Sequence, residues 1–332
     1  MGTALRAAAM MGLVAVACKS DPVQGQAPAM AEQRAPEAMA EAANAADREP
    51  APDPSAEPAM RRFATAAEAI AAVLAERPRI IGFGEFHQTI DSAPVRASMD
   101  RFYEAFEVLD GAASALIVET WIEDSRCGAT EARVGQAVRT ETRRPEVVES
   151  QLERLLRRAA TSGVRPHVLT FTCDEYRSVV GLNSGEAGAA DRAEDTGEGG
   201  VAGGFDHHRM LTLIKSKLAA LAIRAWRGQE QRAAAQRKTV VIYGGAVHND
   251  VRPYDSLVDY SYAADLIDLV GEGYVEVDLF VPEYIVGNGL LSQESWYSAF
   301  IRHAGPDRVL LFERWPRSYV LIFRTEQRVL PR

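Results

Sequence analysis

The chain predicts an α/β fold with a mainly parallel sheet flanked by helices and a hairpin at the C-terminal end. Short apolar runs alternate with longer stretches of helical period, as in successive strand–helix units. The run Ala115-Leu116-Ile117-Val118 is apolar at every position, which suits a strand covered on both faces. Polar residues gather where the runs stop: Glu85 and His87, Glu119, Asp174 and Glu175, His248 and Asn249. Open α/β sheets bind ligands beyond the carboxyl ends of their strands.

Length and composition bound the function. With 332 residues the chain holds one large domain or two. A hydrophobic fraction of 47% and a charged fraction of 25% are ordinary for a globular protein. The net charge of −9, with no basic stripe to neutralise phosphates, argues against a nucleic-acid partner.

The first 18 residues read as an export signal. Arg6 precedes an apolar run over 7–17, which is too short to span a bilayer and has the size of a secretory core. The run ends in Ala15-Val16-Ala17-Cys18, which resembles a bacterial lipobox with cleavage before Cys18 and lipid on its thiol. The alternative is a plain signal peptide cut near Ala17. Lipidation at Cys18 would make membrane lipid a partner without a spanning helix, and the outer membrane is the expected site. Residues 19–62 are rich in Ala, Pro, Glu, Gln and Asp and nearly free of aromatic or β-branched side chains. Such a stretch buries too little apolar surface to offset its ordering entropy, so it reads as a disordered tether.

The domain is expected over 63–332. Thr65 caps a helix reaching Glu76, with Glu68 three residues on as its partner and Ala66, Ile70, Val73 and Leu74 on one face. Residues 79–83 form the first strand and lead into Gly84-Glu85-Phe86-His87. A helix follows from Pro94 to Phe106 with Phe102, Tyr103 and Phe106 inward. Residues 115–120 form the second strand, and 145–161 an amphipathic helix with Val148, Leu152, Leu155 and Leu156 on one side, closed by Gly163. The third strand is expected over 167–173. Residues 183–204 read as a mobile loop, and Asp206 as the cap of a helix over 207–227. The fourth strand, 239–243, runs into Gly244-Gly245-Ala246-Val247-His248-Asn249. A helix over 260–269, a strand over 275–281 and a hairpin around Trp315-Pro316-Arg317 complete the domain. In an exported protein Cys127 and Cys173 either form a disulfide or are two separate small buried residues.

Two loops share one design: a strand, glycines, then a histidine. Glycine lets the backbone come close to a bound group, and loop N–H groups there could hold an oxyanion. Histidine serves as general base, metal ligand or donor, and a nearby glutamate orients it or moves the proton itself. The catalytic set is therefore Glu85, His87, Glu119 and His248. His87, His248 and Glu85 form a possible ligand set for zinc, manganese or cobalt. Asn249, His207 and His208 are candidate cofactor contacts.

These motifs, Gly-Glu-x-His after a strand, Val118-Glu119-Thr120 at a mid-chain strand end and Gly-Gly-Ala-Val-His-Asn after a later one, resemble the superfamily of ChaN-like haem-binding lipoproteins, Tiki/TraB-like proteins and erythromycin-esterase-like enzymes. The resemblance spans about 63–324 and is specific only at the motifs. It implies a membrane-anchored hydrolase whose water is activated by His and Glu, alone or on a divalent metal, acting on a small-molecule or peptide ligand. A haem-binding or iron-uptake lipoprotein without catalysis is the other branch. His207-His208 stands where the esterase branch has Arg followed by an acid, which counts against a macrolide substrate. An adhesion or scaffold domain is the blandest reading.

Overall fold

A computed structural model describes residues 6–8, 58–92, 94–145, 147–181 and 204–326, the first of these by backbone alone. Its strands are β1 (Arg6–Ala8), β2 (Ala59–Phe63), β3 (Ile80–Glu85), β4 (Ala113–Glu123), β5 (Arg165–Leu169), β6 (Thr239–Gly245), β7 (Tyr274–Phe280), β8 (Val309–Trp315) and β9 (Ser318–Ile322). Its helices are α1 (Ala66–Leu74), α2 (Ser98–Ala105), α3 (Gly128–Thr142), α4 (Val147–Thr161), α5 (Cys173–Val179), α6 (His207–Glu230), α7 (Ala246–Asn249), α8 (Ala263–Val270), α9 (Pro282–Ile285) and α10 (Tyr297–His303).

All the strands join one sheet in the order β1-β4-β6-β3-β7-β9-β8-β2, with β5 also paired to β4. The central strands β5, β4, β6, β3, β7 and β9 are parallel, while β1, β8 and β2 run antiparallel to their neighbours. The expected α/β class and C-terminal hairpin are therefore both present.

Alternation along each strand sorts side chains onto two faces. One carries Ile81, Phe83, Val118, Tyr243 and Val277 and is covered by α1, α2 and α4 through Ile70, Phe102, Leu152 and Leu155. The other carries Ala115, Ile117, Val240 and Ile242 and is covered by α6 and α8 through Ile214, Leu218, Trp226 and Leu266. A third apolar cluster around Trp296, Phe300 and Phe312 closes the β8–β9 end.

Several expectations need correction. The domain does not begin at Phe63: residues 59–63, assigned in part to the tether, form β2 and pair with β8. Met60-Arg61-Arg62 has little strand propensity of its own, and the pairing comes from the β8 edge. Residues 6–8, inside the expected signal segment, pair antiparallel with Trp121–Glu123 of β4. Cys18, the lipobox and most of the tether lie outside the described residues, as does nearly all of the expected loop over 183–204.

The third strand stops at Leu169 rather than Cys173. Thr172 caps α5, and its hydroxyl accepts from Glu175 N while the Glu175 carboxylate accepts from Thr172 N. Helix α3 was not anticipated, because its apolar stripe is narrow: Val134 and Val138 are its buried large side chains. Buried Glu131 instead holds its start, accepting from the backbone N–H of Asp124 and Cys127. Cys127 and Cys173 form a disulfide that ties the start of α3 to the start of α5.

Candidate active site

The site lies at the carboxyl ends of β3, β4 and β6. Strand β3 does not stop at its glycines; it continues through Gly82 and Gly84 to Glu85. The glycines serve the approach of α7. A Cβ on Gly84 would lie 2.6 Å from Ala246 Cα and on top of the Asn249 amide. Bare β3 backbone thus lets α7 settle on the sheet, and α7 carries His248.

Two carboxylates reach this edge from opposite faces. Glu85 alternates with Phe83 and shares the face of Tyr243, whose hydroxyl donates to Glu85 Oε2. Glu119 alternates with Ile117 on the other face. It sits where the β4–β5 register shifts between Val118 and Trp121, an irregularity that commonly re-aims a side chain beside a functional site.

His87 leaves the end of β3 and folds back. Its Nδ1 lies 2.8 Å from Glu85 Oε1. Arg144 Nη2 also reaches His87 Nδ1 and lies 3.2 Å from Glu85 Oε1. Arg144, in the turn between α3 and α4, has a side chain only 5% exposed. His248 is fully buried and faces Glu119, with Nε2 3.6 Å from Oε1. Its Nδ1 is 2.7 Å from the Tyr260 carbonyl. Since a carbonyl only accepts, that nitrogen carries a proton, and in the neutral ring Nε2 carries the lone pair.

Buried atoms without a hydrogen-bond partner here include His87 Nε2, Glu119 Oε1 and His248 Nε2. His248 Nε2 and Glu119 Oε1 face each other at 3.6 Å. A Cβ placed on Gly245 would lie 2.7 Å from His87 Nε2 and 3.6 Å from Glu119 Oε2. Glu119 thus stands between the two imidazoles. Buried polar groups are normally satisfied, and orphaned atoms gathered at one edge of the sheet mark a place suited to a polar group.

The environments push the two carboxyls apart. Burial tends to raise Glu85, but His87, Arg144 and Tyr243 outweigh it and hold the group below the usual carboxylate range. Burial raises Glu119 above its ordinary value, against the opposing pull of His248 and the Gly245 N–H. Burial and then the Arg144 charge lower His87 to about 4, so its ring is neutral near pH 7.

Of the expected catalytic residues, Glu85, His87, Glu119 and His248 all converge at this edge. The expected metal set of His87, His248 and Glu85 does not form. Glu85 is turned away from His87 Nε2 and engaged by His87 Nδ1, Arg144 and Tyr243. Among the described residues no group of three or more His, Cys, Asp or Glu side chains is arranged to hold a metal ion. The guanidinium of Arg144 beside the centre further disfavours a cation.

Asn249 is engaged within the fold through its amide nitrogen. Its Nδ2 donates to Gly82 O at 3.2 Å and to Asp278 Oδ1 at 3.3 Å, pinning α7 to β3 and β7. His207 lies at the surface 3.7 Å from Glu141. His208 bonds the Tyr260 hydroxyl at 3.0 Å, so it touches the centre only through the residue that orients His248. The Gly245 N–H donates to Glu119 Oε2 at 2.7 Å and is not a free oxyanion donor. Asp174 and Glu175 lie in α5, paired with Arg177 and Lys217.

Arg144 and Tyr243 were missed. Arg144 is one of many arginines and follows a helix with a weak pattern, whereas Tyr243 reads as one more apolar strand position. Also unforeseen is a buried acidic cluster behind α7. Arg314 Nη2 meets Glu276 Oε1 and lies 3.2 Å from Asp278 Oδ2 and 3.7 Å from Asp250 Oδ1. The alternation of Glu276 and Asp278 within apolar β7 was its one visible sign. A cleft of about 360 Å³ lies elsewhere, lined by residues such as Thr65, Arg101, Phe323 and Glu326 and by none of the site residues.

Comparisons of the chain with protein-family models, with curated proteins and with solved structures gave no match. Fold and site together define the class: an α/β protein with a buried Glu/His/Arg centre at the carboxyl edge of its parallel strands.

Proposed function

We propose that this chain is a hydrolase in which a water is activated by histidine and glutamate without a metal. The observation that carries the reading is that unpartnered His87 Nε2, Glu119 Oε1 and His248 Nε2 lie at one sheet edge beside two carboxyls shifted in opposite directions, Glu85 down and Glu119 up. Such divergence within one site is a hallmark of acid–base work. Glu85 stays ionised beside His87. Glu119 and the imidazoles pass the proton as water attacks the carbonyl carbon of an ester or amide. The motif resemblance to the ChaN, Tiki and erythromycin-esterase-like superfamily agrees with this chemistry. Attachment to a membrane surface through Cys18, after export, is part of the proposal, and the cleavage before Cys18 would take β1 off the β4 edge. Among the described residues no helix is long and apolar enough to cross a membrane.

A panel of p-nitrophenyl esters and short peptides, assayed with and without chelator, tests the reading. Turnover that survives chelation and falls at least about 100-fold in Glu119→Gln is expected, the usual scale for loss of a general acid–base group. Absence of turnover across the panel together with a Soret shift at micromolar hemin would favour the haem-binding branch instead.

A further inference from the structure

Two histidines enter the centre, and their outer nitrogens are held by different partners. His248 Nδ1 faces the Tyr260 carbonyl at 2.7 Å. The loop that presents this carbonyl is anchored to α7: Tyr262 N donates to His248 O at 2.8 Å, and the Ser261 hydroxyl donates to Asp250 O at 2.6 Å. The His248 ring therefore cannot turn its lone pair outward without leaving a buried carbonyl facing a lone pair.

His87 is held differently. Arg144 Nη2 and Glu85 Oε1 both reach its Nδ1. These partners make opposite demands. The carboxylate needs a proton on Nδ1, whereas the guanidinium, which carries only donors, needs a lone pair there. Glu85 is already served without that proton, since Oε2 accepts from Tyr243 and Oε1 lies 3.2 Å from Arg144 Nη2. Arg144 Nε has no hydrogen-bond partner, and the side chain is only 5% exposed. Its Nη2 donors thus depend on Glu85 and His87 for acceptors.

We propose that the two histidines have opposite, fixed tautomers and therefore opposite roles: Arg144 places the His87 proton on Nε2 as a donor into the centre, and the Tyr260 carbonyl leaves His248 Nε2 as the base. The division rests on the hydrolase reading for its catalytic meaning, though the tautomers themselves do not. In the reaction, the proton of the attacking water passes to His248 Nε2 as its oxygen bonds to the carbonyl carbon. The carbonyl π pair moves onto oxygen, which accepts a hydrogen bond from His87 Nε2–H. Collapse of the tetrahedral species breaks the C–O or C–N bond, and the leaving group takes the proton from His248. Glu119 Oε1, 3.6 Å from His248 Nε2, faces the imidazolium formed on the way. Arg144 is a positioning residue in this scheme, because it acts through His87.

The test is a two-bond ¹H–¹⁵N correlation spectrum at pH 7 on the full chain with ¹⁵N-histidine, assigned by His87→Gln and His248→Gln. There are six histidines, so the spectrum is tractable. The expected result is the Nε2–H pattern for His87 and the Nδ1–H pattern for His248. In Arg144→Met, His87 is expected to reverse to Nδ1–H, because Glu85 becomes its sole partner there, while His248 stays unchanged. An Nδ1–H pattern for His87 in the wild type would overturn the proposal even if Arg144→Met failed to fold. So would an Nε2–H pattern for His248, or a His87 pattern unchanged in a folded Arg144→Met. The ester and peptide panel on the same samples separates the two claims: expected tautomers without turnover sink the hydrolase reading alone, and turnover with the wrong tautomers sinks the division of roles alone.

Discussion

At the residue scale the centre is defined by contrast. Glu85 and Glu119 reach the same edge, yet one is wrapped by donors and the other accepts from the Gly245 N–H and lies near His248 Nε2. Their motif positions were legible in the sequence, because a polar side chain ending an apolar strand stands out. Their division of labour was not, since it depends on Tyr243 and Arg144, which come from other parts of the chain. Gly245 offers a direct probe of the space between the histidines. In Gly245→Ala the new methyl would sit 2.7 Å from His87 Nε2. Turnover is expected to fall by about 100-fold or more while the melting temperature drops only a few degrees, a loss of proximity rather than of fold. Circular dichroism melting beside the activity assay checks this.

At the element scale, the placement of α7 on bare β3 backbone is what brings His248 to Glu119. Gly84→Ala would force a methyl against Ala246 Cα at 2.6 Å, where backbone must move. A destabilisation of about 1–3 kcal/mol or more is expected, measured by urea unfolding, as for other overpacked cores. The sequence ends the first strand at Phe83, ahead of Gly84, whereas β3 runs on through Gly84 to Glu85. Nothing local distinguishes a glycine that bends the chain from one that admits a neighbouring helix. The Cys127–Cys173 link closes 46 residues of sequence separation. Loop-closure entropy for that span is worth about 4 kcal/mol as an upper figure. Cys127→Ala with Cys173→Ala is therefore expected to lower stability by a substantial part of that amount, and a reductant titration of the wild type should reproduce the loss. Whether the two cysteines paired could not be read from their number alone; the contact of α3 with α5 decides it, and α3 has too narrow an apolar stripe to be seen in advance.

At the scale of the whole molecule, the parallel centre of the sheet was legible because its strands are apolar on both faces. The edges were not, because β2 takes its order from β8. A chain beginning at residue 64 loses β2 and is expected to melt several degrees lower in a thermal scan than one beginning at 58. Stability against pH carries two opposing signals. Burial, with Arg144 adding to it, lowers His87 from 6.5 to about 4, so its contribution is complete above pH 6.5 and is lost as pH falls toward 4. Asp278 is raised by burial, against Arg314, from 3.8 to about 7. Its contribution is complete below pH 3.8 and is lost as pH rises to 7. Denaturation of Asp278→Asn across pH 4–8 should show a steeper gain of stability with rising pH than the wild type, because the opposing term is gone. An identical pH dependence would rule out a titrating Asp278.

The most direct measurement is kcat/KM of the wild type and of Glu119→Gln on the best ester or peptide of the panel, at matched melting temperature. A fall of about 100-fold or more, with folding intact, is the result expected if His87, Glu119 and His248 form one acid–base centre. Equal kcat/KM for the two proteins would contradict it.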